Sequence, residues 1–226
     1  MFENIIVENN ILPNPYCDFP YIIVKNFLSN ELCIDIINSI KKDDDYIKAQ
    51  IITNDNIIDS KLNEKYRKTN IYDLNDDLKS IYLKRFDEIT PLIEDFYKLA
   101  LTNSTDVQVL EYKNGYYYKK HADDSSELIN KDGNTIGFKT VAPQRKISTV
   151  LFATSFKENI NDNYSFNGGE LVFNYLYDKN EELIKIRPDM GDLVIFPSNP
   201  IFSHEILKVN EGYRLTLVQW HDAIIN

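Results

Sequence analysis

A few residues in this chain are equipped for metal chemistry, and their spacing singles out a small set. There are only three histidines, His121, His204 and His221. His121 stands two residues before Asp123 in KKHADDSS. On an extended strand, residues two apart share a face, so His121 and Asp123 point one way while Ala122 and Asp124 point the other. An imidazole beside a carboxylate can bind a divalent metal. His204, in the apolar stretch IFSHEIL, is the candidate third ligand. Two histidines and one aspartate on one face of a metal leave its opposite face open, as in non-haem Fe(II) oxygenases. The open positions can take a chelating cosubstrate and dioxygen. The far carboxylate of such a cosubstrate needs a cation. Arg214 follows His204 by ten residues, and its planar fork suits a carboxylate.

Taken singly, each feature has an ordinary explanation. HxD triplets arise by chance, a lone histidine in an apolar stretch is more often a core residue, and an arginine is more often a surface charge. The combination is harder to dismiss: HxD on an early strand, a histidine 83 residues on, then an arginine at the start of the last strand. Parity along that strand places Thr216 and Trp220 on the face of Arg214. It sends His221 to the other side, as a non-ligand.

These side chains must be held by strands. Short segments rich in β-branched residues, with turn signals between them, run through 106–112, 116–121, 146–154, 169–176, 183–187, 192–196, 201–207 and 212–220. That texture predicts a sandwich or barrel. Before it, 21–28 reads as a short strand. Ser29 sits where an N-cap would, and Leu32, Cys33, Ile36, Ile37 and Ile40 predict an amphipathic helix over about 30–41. The polar run Lys41 to Asp45 ends it. Residues 46–75 carry few signals. From Asp76 the period of Leu78, Ile81, Tyr82 and Phe86, then Ile93, Phe96, Tyr97 and Leu101, predicts two helices or one broken at Pro91. Residues 124–144 read as a long polar loop, of the kind that covers sites.

Around these residues the chain carries VLEYKNGYYYKKHAD (109–123), RKISTVLFAT (145–154), NGGEL (167–171), MGDLVIFPS (190–198), FSHEI (202–206) and EGYRLTLVQWHD (211–222). In this order they resemble the 2-oxoglutarate- and Fe(II)-dependent dioxygenases, and within them the prolyl 4-hydroxylase-like group. The resemblance covers roughly 104–222. It implies an α+β, mainly β chain: a double-stranded β-helix (jelly roll) with supporting N-terminal helices. It implies one dioxygenase domain over 1–226, with a helical portion to about 103 and the jelly roll over about 104–222. It implies Fe(II) on His121, Asp123 and His204, with 2-oxoglutarate anchored by Arg214 and dioxygen as co-reactant. Tyr112 matches a tyrosine that in relatives hydrogen-bonds the cosubstrate, and Thr216 can add a hydroxyl. Relatives often carry a tyrosine where Phe152 stands, so Tyr112, Ser148 or Thr216 would supply that hydroxyl here. The expected reaction is hydroxylation of an unactivated C–H, foremost in a prolyl residue of a peptide or protein. The alternatives are a free amino acid or small metabolite as substrate, a Zn-dependent hydrolase, or a cupin-like binding module without catalysis.

Composition narrows the field. The chain has 226 residues, 43% hydrophobic and 27% charged, which is globular. The net charge of −10 argues against a nucleic-acid partner. No apolar run is long enough to span a bilayer, and the first residues do not read as a signal peptide, so a cytoplasmic location is expected. Two cysteines, Cys17 and Cys33, make no disulfide framework and read as reduced, buried thiols. Nothing in the sequence sets the oligomeric state.

Overall fold

A computed structural model describes residues 21–42, 46–48 and 65–225. The first strand is β1 (Ile22–Val24), followed by helix α1 (Asn30–Lys41). The Ser29 hydroxyl accepts from the Leu32 N–H, as the N-cap reading requires, and Cys33, Ile36, Ile37 and Ile40 form the buried face. Short strands β2 (Ile47–Lys48), β3 (Arg67–Lys68) and β4 (Asn70–Asp73) lead to helix α2 (Asp76–Tyr97).

Helix α2 is unbroken, contrary to the expectation of an interruption at Pro91. Its buried stripe of Tyr82, Phe86, Ile93 and Phe96 continues past the proline. Pro91 and Asp87 lie on the exposed side, where water can take the carbonyl that loses its N–H partner. The helix stops at Lys98 in the left-handed region (φ 54°). Leu101 therefore belongs to strand β5 (Leu99–Ser104), not to the helix.

The remaining strands are β6 (Gln108–Tyr112), β7 (Tyr117–His121), β8 (Ser125–Ile129), β9 (Thr135–Thr140), β10 (Ile147–Phe152), β11 (Ser155–Phe156), β12 (Ser165–Gly168), β13 (Leu171–Tyr177), β14 (Leu183–Ile186), β15 (Leu193–Pro197), β16 (His204–Ile206), β17 (Val209–Gly212) and β18 (Arg214–Ile225). The predicted strand 201–207 begins as a 3-10 turn, Pro200–Phe202. Residues 124–144 are not a loop: β8 and β9 pair as a hairpin closed at Asn130–Asn134. The K-D-G-N signal at its tip, with Gly133 at φ 83°, is what marks it as a hairpin. Part of the weakly patterned 46–75 stretch, and Cys17, lie outside the described residues.

Two sheets form the jelly roll. The large one runs β1-β15-β10-β18-β6-β4-β2, with β5 also on β18, and the smaller one runs β14-β13-β16-β7-β3. Both faces of the large sheet are covered, which is why its strands read as nearly continuous apolar runs. Ile147, Leu151, Leu193, Ile195, Leu215 and Leu217 join one core with the helices. Val150, Phe152, Val194, Phe196, Leu110 and Tyr112 join a second core with Leu171, Phe173 and Ile206 of the smaller sheet. A cavity opens inside this second layer.

No helix among the described residues is long and apolar enough to cross a membrane.

Candidate active site

Strands β16 and β7 are antiparallel neighbours, and their register sets His204 directly opposite His121. The pairing then slips, because Ile206 faces Tyr118, so three steps on β7 match two on β16. Such a bulge re-aims side chains. It turns both Tyr118 and His121 into the cavity, where their rings stack 3.6 Å apart at 13°. Asp123 lies just beyond the end of β7. His121, Asp123 and His204 each bring a ligand atom to within 4.8 Å of the others.

The backbone fixes which nitrogen each histidine offers. His121 Nδ1 donates to the Lys119 carbonyl at 2.9 Å, and His204 Nδ1 donates to the Phe202 carbonyl at 3.0 Å. Both Nε2 atoms are left as lone-pair donors. Burial, then the charge of His204, pulls the His121 pKa down to about 3, so its imidazole is neutral. Burial raises the Asp123 pKa, but His204, His121 and the Ser148 hydroxyl outweigh it and hold the carboxyl below its ordinary value. The resulting donor set, two imidazoles and one carboxylate, suits Fe(II).

A second layer orients the aspartate. The Ser148 hydroxyl donates to Asp123 Oδ2 at 2.6 Å and pairs with the Ser198 hydroxyl at 2.7 Å. Arg145 Nη1 donates to the Asp123 carbonyl at 3.1 Å, and its guanidinium lies 3.9 Å from the centre of the Trp220 ring. Ser148 thus braces Asp123 and is not among the residues that line the cavity, and Arg145 holds the backbone at Asp123.

The cavity wall also includes Tyr112, Arg214, Thr216, Val218 and Trp220. Arg214, Thr216, Val218 and Trp220 alternate along β18 and face inward, as parity predicts. Arg214 is wholly buried, at 0% exposure. Its Nη1 reaches the Thr216 hydroxyl at 3.4 Å, while Nε and Nη2 have no partner among the described residues. Burial lowers its pKa to about 10, so it stays charged. The Tyr112 ring lies 4.7 Å from its guanidinium and Phe152 5.1 Å. A buried cation with unsatisfied donors is costly unless an anion joins it. A dicarboxylate that chelates a metal at one end and meets Arg214 at the other fits these residues.

His221 is elsewhere. It stacks on Phe86 of α2 at 4.4 Å and bonds the Ser104 and Thr149 hydroxyls. Asp124 is absent from the ligand cluster. Two lining residues with polar groups are not marked by the sequence pattern, Arg67 and Tyr118. Tyr118 was concealed by the bulge, which breaks strand parity. Arg67 comes from a two-residue strand in a weakly patterned region.

Residues 107–222, just over half of the chain, match the 2OG-Fe(II) oxygenase superfamily. A comparison with curated proteins yields no match. Among solved structures, a prolyl-4-hydroxylase from Pseudomonas putida aligns at TM-score 0.61 and 20% identity, covering 90% of this chain and 92% of that one. A Trichoplax adhaerens prolyl hydroxylase, in complex with a peptide fragment of the hypoxia inducible factor oxygen degradation domain, aligns at TM-score 0.62 and 17% identity over 97% and 93% of the two chains. A viral collagen prolyl hydroxylase from Paramecium Bursaria Chlorella virus-1, as its 2-oxoglutarate complex, gives 0.61 and 22% over 92% and 99%. At these identities the likeness is one of fold. With the superfamily match resting on the stretch that carries both histidines, the aspartate and the buried arginine, the chain belongs to the 2OG-Fe(II) oxygenase superfamily.

Proposed function

We propose that this 2-oxoglutarate- and Fe(II)-dependent dioxygenase hydroxylates a prolyl residue of a peptide or protein, with His121, Asp123 and His204 as iron ligands. The observation that carries the assignment is a single cavity walled by that cluster and by the buried, under-satisfied Arg214. When bound, Fe(II) with 2-oxoglutarate and dioxygen supplies the oxidising power to hydroxylate an unactivated C–H, releasing succinate and carbon dioxide.

The chain's own residues bind, orient and exclude water. Arg214 and Thr216 take the far carboxylate of 2-oxoglutarate, and Tyr112 closes the wall beside it. Phe152, fully buried beside Arg214, keeps that end dry and strengthens the ion pair. Ser148, Ser198 and Arg145 hold Asp123 in place. The Trp220 ring, on the cavity wall, offers an aromatic surface to a pyrrolidine ring. The prolyl reading draws further support from the three neighbours, all named as prolyl hydroxylases.

The test is anaerobic. Fe(II) and 2-oxoglutarate added to the purified protein should give the weak visible charge-transfer band, and His204→Ala should abolish it. Arg214→Ala should raise the 2-oxoglutarate needed by roughly 10- to 100-fold, the loss of a charge-assisted pair. Proline-containing peptides should then stimulate succinate release. A normal band in the His204 variant would sink the ligand assignment.

A further inference from the structure

The cavity holds a second guanidinium that the dioxygenase chemistry leaves unassigned. Arg67 sits on β3, the edge strand of the smaller sheet, opposite Tyr118 of β7. It is half-buried at the rim and lines the cavity. Its guanidinium lies 4.4 Å from the centre of the Tyr118 ring, which stacks on His121. Arg67, Tyr118 and His121 thus form one column leading from the rim to the metal cluster. The Arg67 Nε is buried and has no hydrogen-bond partner among the described residues. No carboxylate pairs with Arg67 there either, although acidic residues outnumber basic ones by 35 to 25. Lys68 and Lys119 lie on the same two paired strands. Each packs over a tyrosine ring, Tyr116 and Tyr66, and neither pairs with an acid among the described residues. Lys120 alone of this group is neutralised, by Glu127 at 2.7 Å.

An acidic protein that keeps an unpaired, partly desolvated guanidinium at the mouth of its cavity is equipped to receive an anion there. Arg214 accounts for one carboxylate, that of the cosubstrate. We infer that Arg67 receives a second carboxylate, one carried by the prolyl substrate beside its reacting ring. This rests on the prolyl reading above and deepens it. The carboxylate has two possible sources with the same chemistry: an acidic side chain flanking the proline in a peptide, or the α-carboxylate of proline itself. The stacked column fixes the distance between that anion and the metal cluster, so Arg67 selects substrates and sets which carbon faces the iron.

The experiment measures succinate release by the Fe(II)-loaded full chain against two matched pairs: a proline peptide flanked by Glu or by Gln, and free proline or prolinamide. The carboxylate-bearing member of one pair should be preferred by about 10- to 100-fold in kcat/KM, carried by KM. Which pair responds identifies the source. Arg67→Gln should remove the preference, and Arg67→Lys, which keeps the charge, should restore part of it. Equal use within both pairs, or a preference that survives in Arg67→Gln, overturns the inference. So does the absence of any stimulation when the anaerobic charge-transfer band is present. Absence of the band itself would instead strike the underlying dioxygenase assignment.

Discussion

At the scale of single residues, the site separates into groups that touch reactants and groups that hold those in place. Ser148 is of the second kind. It does not line the cavity, yet its 2.6 Å hydrogen bond to Asp123 Oδ2 removes one rotational freedom from a carboxylate that lies beyond the end of its strand. Ser148→Ala should therefore weaken Fe(II) by about 10- to 100-fold, the usual effect of losing a group that orients a metal ligand. A titration of the charge-transfer band with Fe(II), at saturating 2-oxoglutarate, reads this directly, and unchanged iron affinity would show Asp123 to be held without it. That His121, Asp123, His204 and Arg214 meet in one cavity was legible in sequence because each depends on residue type and spacing. Ser148 was legible as a polar residue on an inward face, but its partner was not. Which acceptor a buried hydroxyl meets is decided by Asp123 and Ser198 arriving from other elements.

At the scale of elements, strand parity carried the reading a long way and failed at one irregularity. Alternation on β18 put Arg214, Thr216 and Trp220 inside and His221 outside, and the structure agrees. The same rule cannot see the slip in β7, which hides Tyr118 although it stacks on His121. Helix α2 shows the opposite case, where a local signal at Pro91 is overridden by a buried stripe that continues on both sides of it. The packing of α2 against β18 has a pH signature. His221, pressed on Phe86, has its pKa lowered to about 3 by burial. Folded, it stays neutral, and unfolding lets it take up a proton below its ordinary value of about 6.5. Its stabilising contribution is thus complete above pH about 6.5 and is lost as pH falls toward about 3. This is worth up to a few kcal/mol. Denaturant unfolding of the metal-free protein between pH 4 and 7 should show a steep loss that is shallower, by up to one proton, in His221→Gln. Identical slopes would mean the imidazole is solvated.

At the scale of the whole molecule, the cavity lies between the two sheets, and its walls come from both. His121 and His204 belong to the smaller sheet, while Arg214 and Thr216 belong to the larger one. Metal with 2-oxoglutarate would bridge the layers, and a ligand that binds only the folded state stabilises it by mass action. At about 100 times the dissociation constant the gain is about 2.7 kcal/mol, which in a chain of this size raises Tm by roughly 5–10 °C. Anaerobic thermal scans should show that rise, a chelator should reverse it, and His204→Ala should show none. The fold class was visible in the sequence from the rhythm of short strands. The order of strands across each sheet was not, since periodicity says which face a residue takes and nothing about its neighbour.

That strand order bears on synthesis. β18 is the last described strand in the chain, yet it lies mid-sheet, between β10 and β6. A ribosome releases both neighbours long before it. Until β18 arrives, the large sheet is two half-sheets with facing unpaired edges, open to pairing with other chains. The nascent protein therefore has no buried arginine in its cavity and no seam joining its halves. A single late insertion gives it both, so closing the fold and completing the cavity wall are one event.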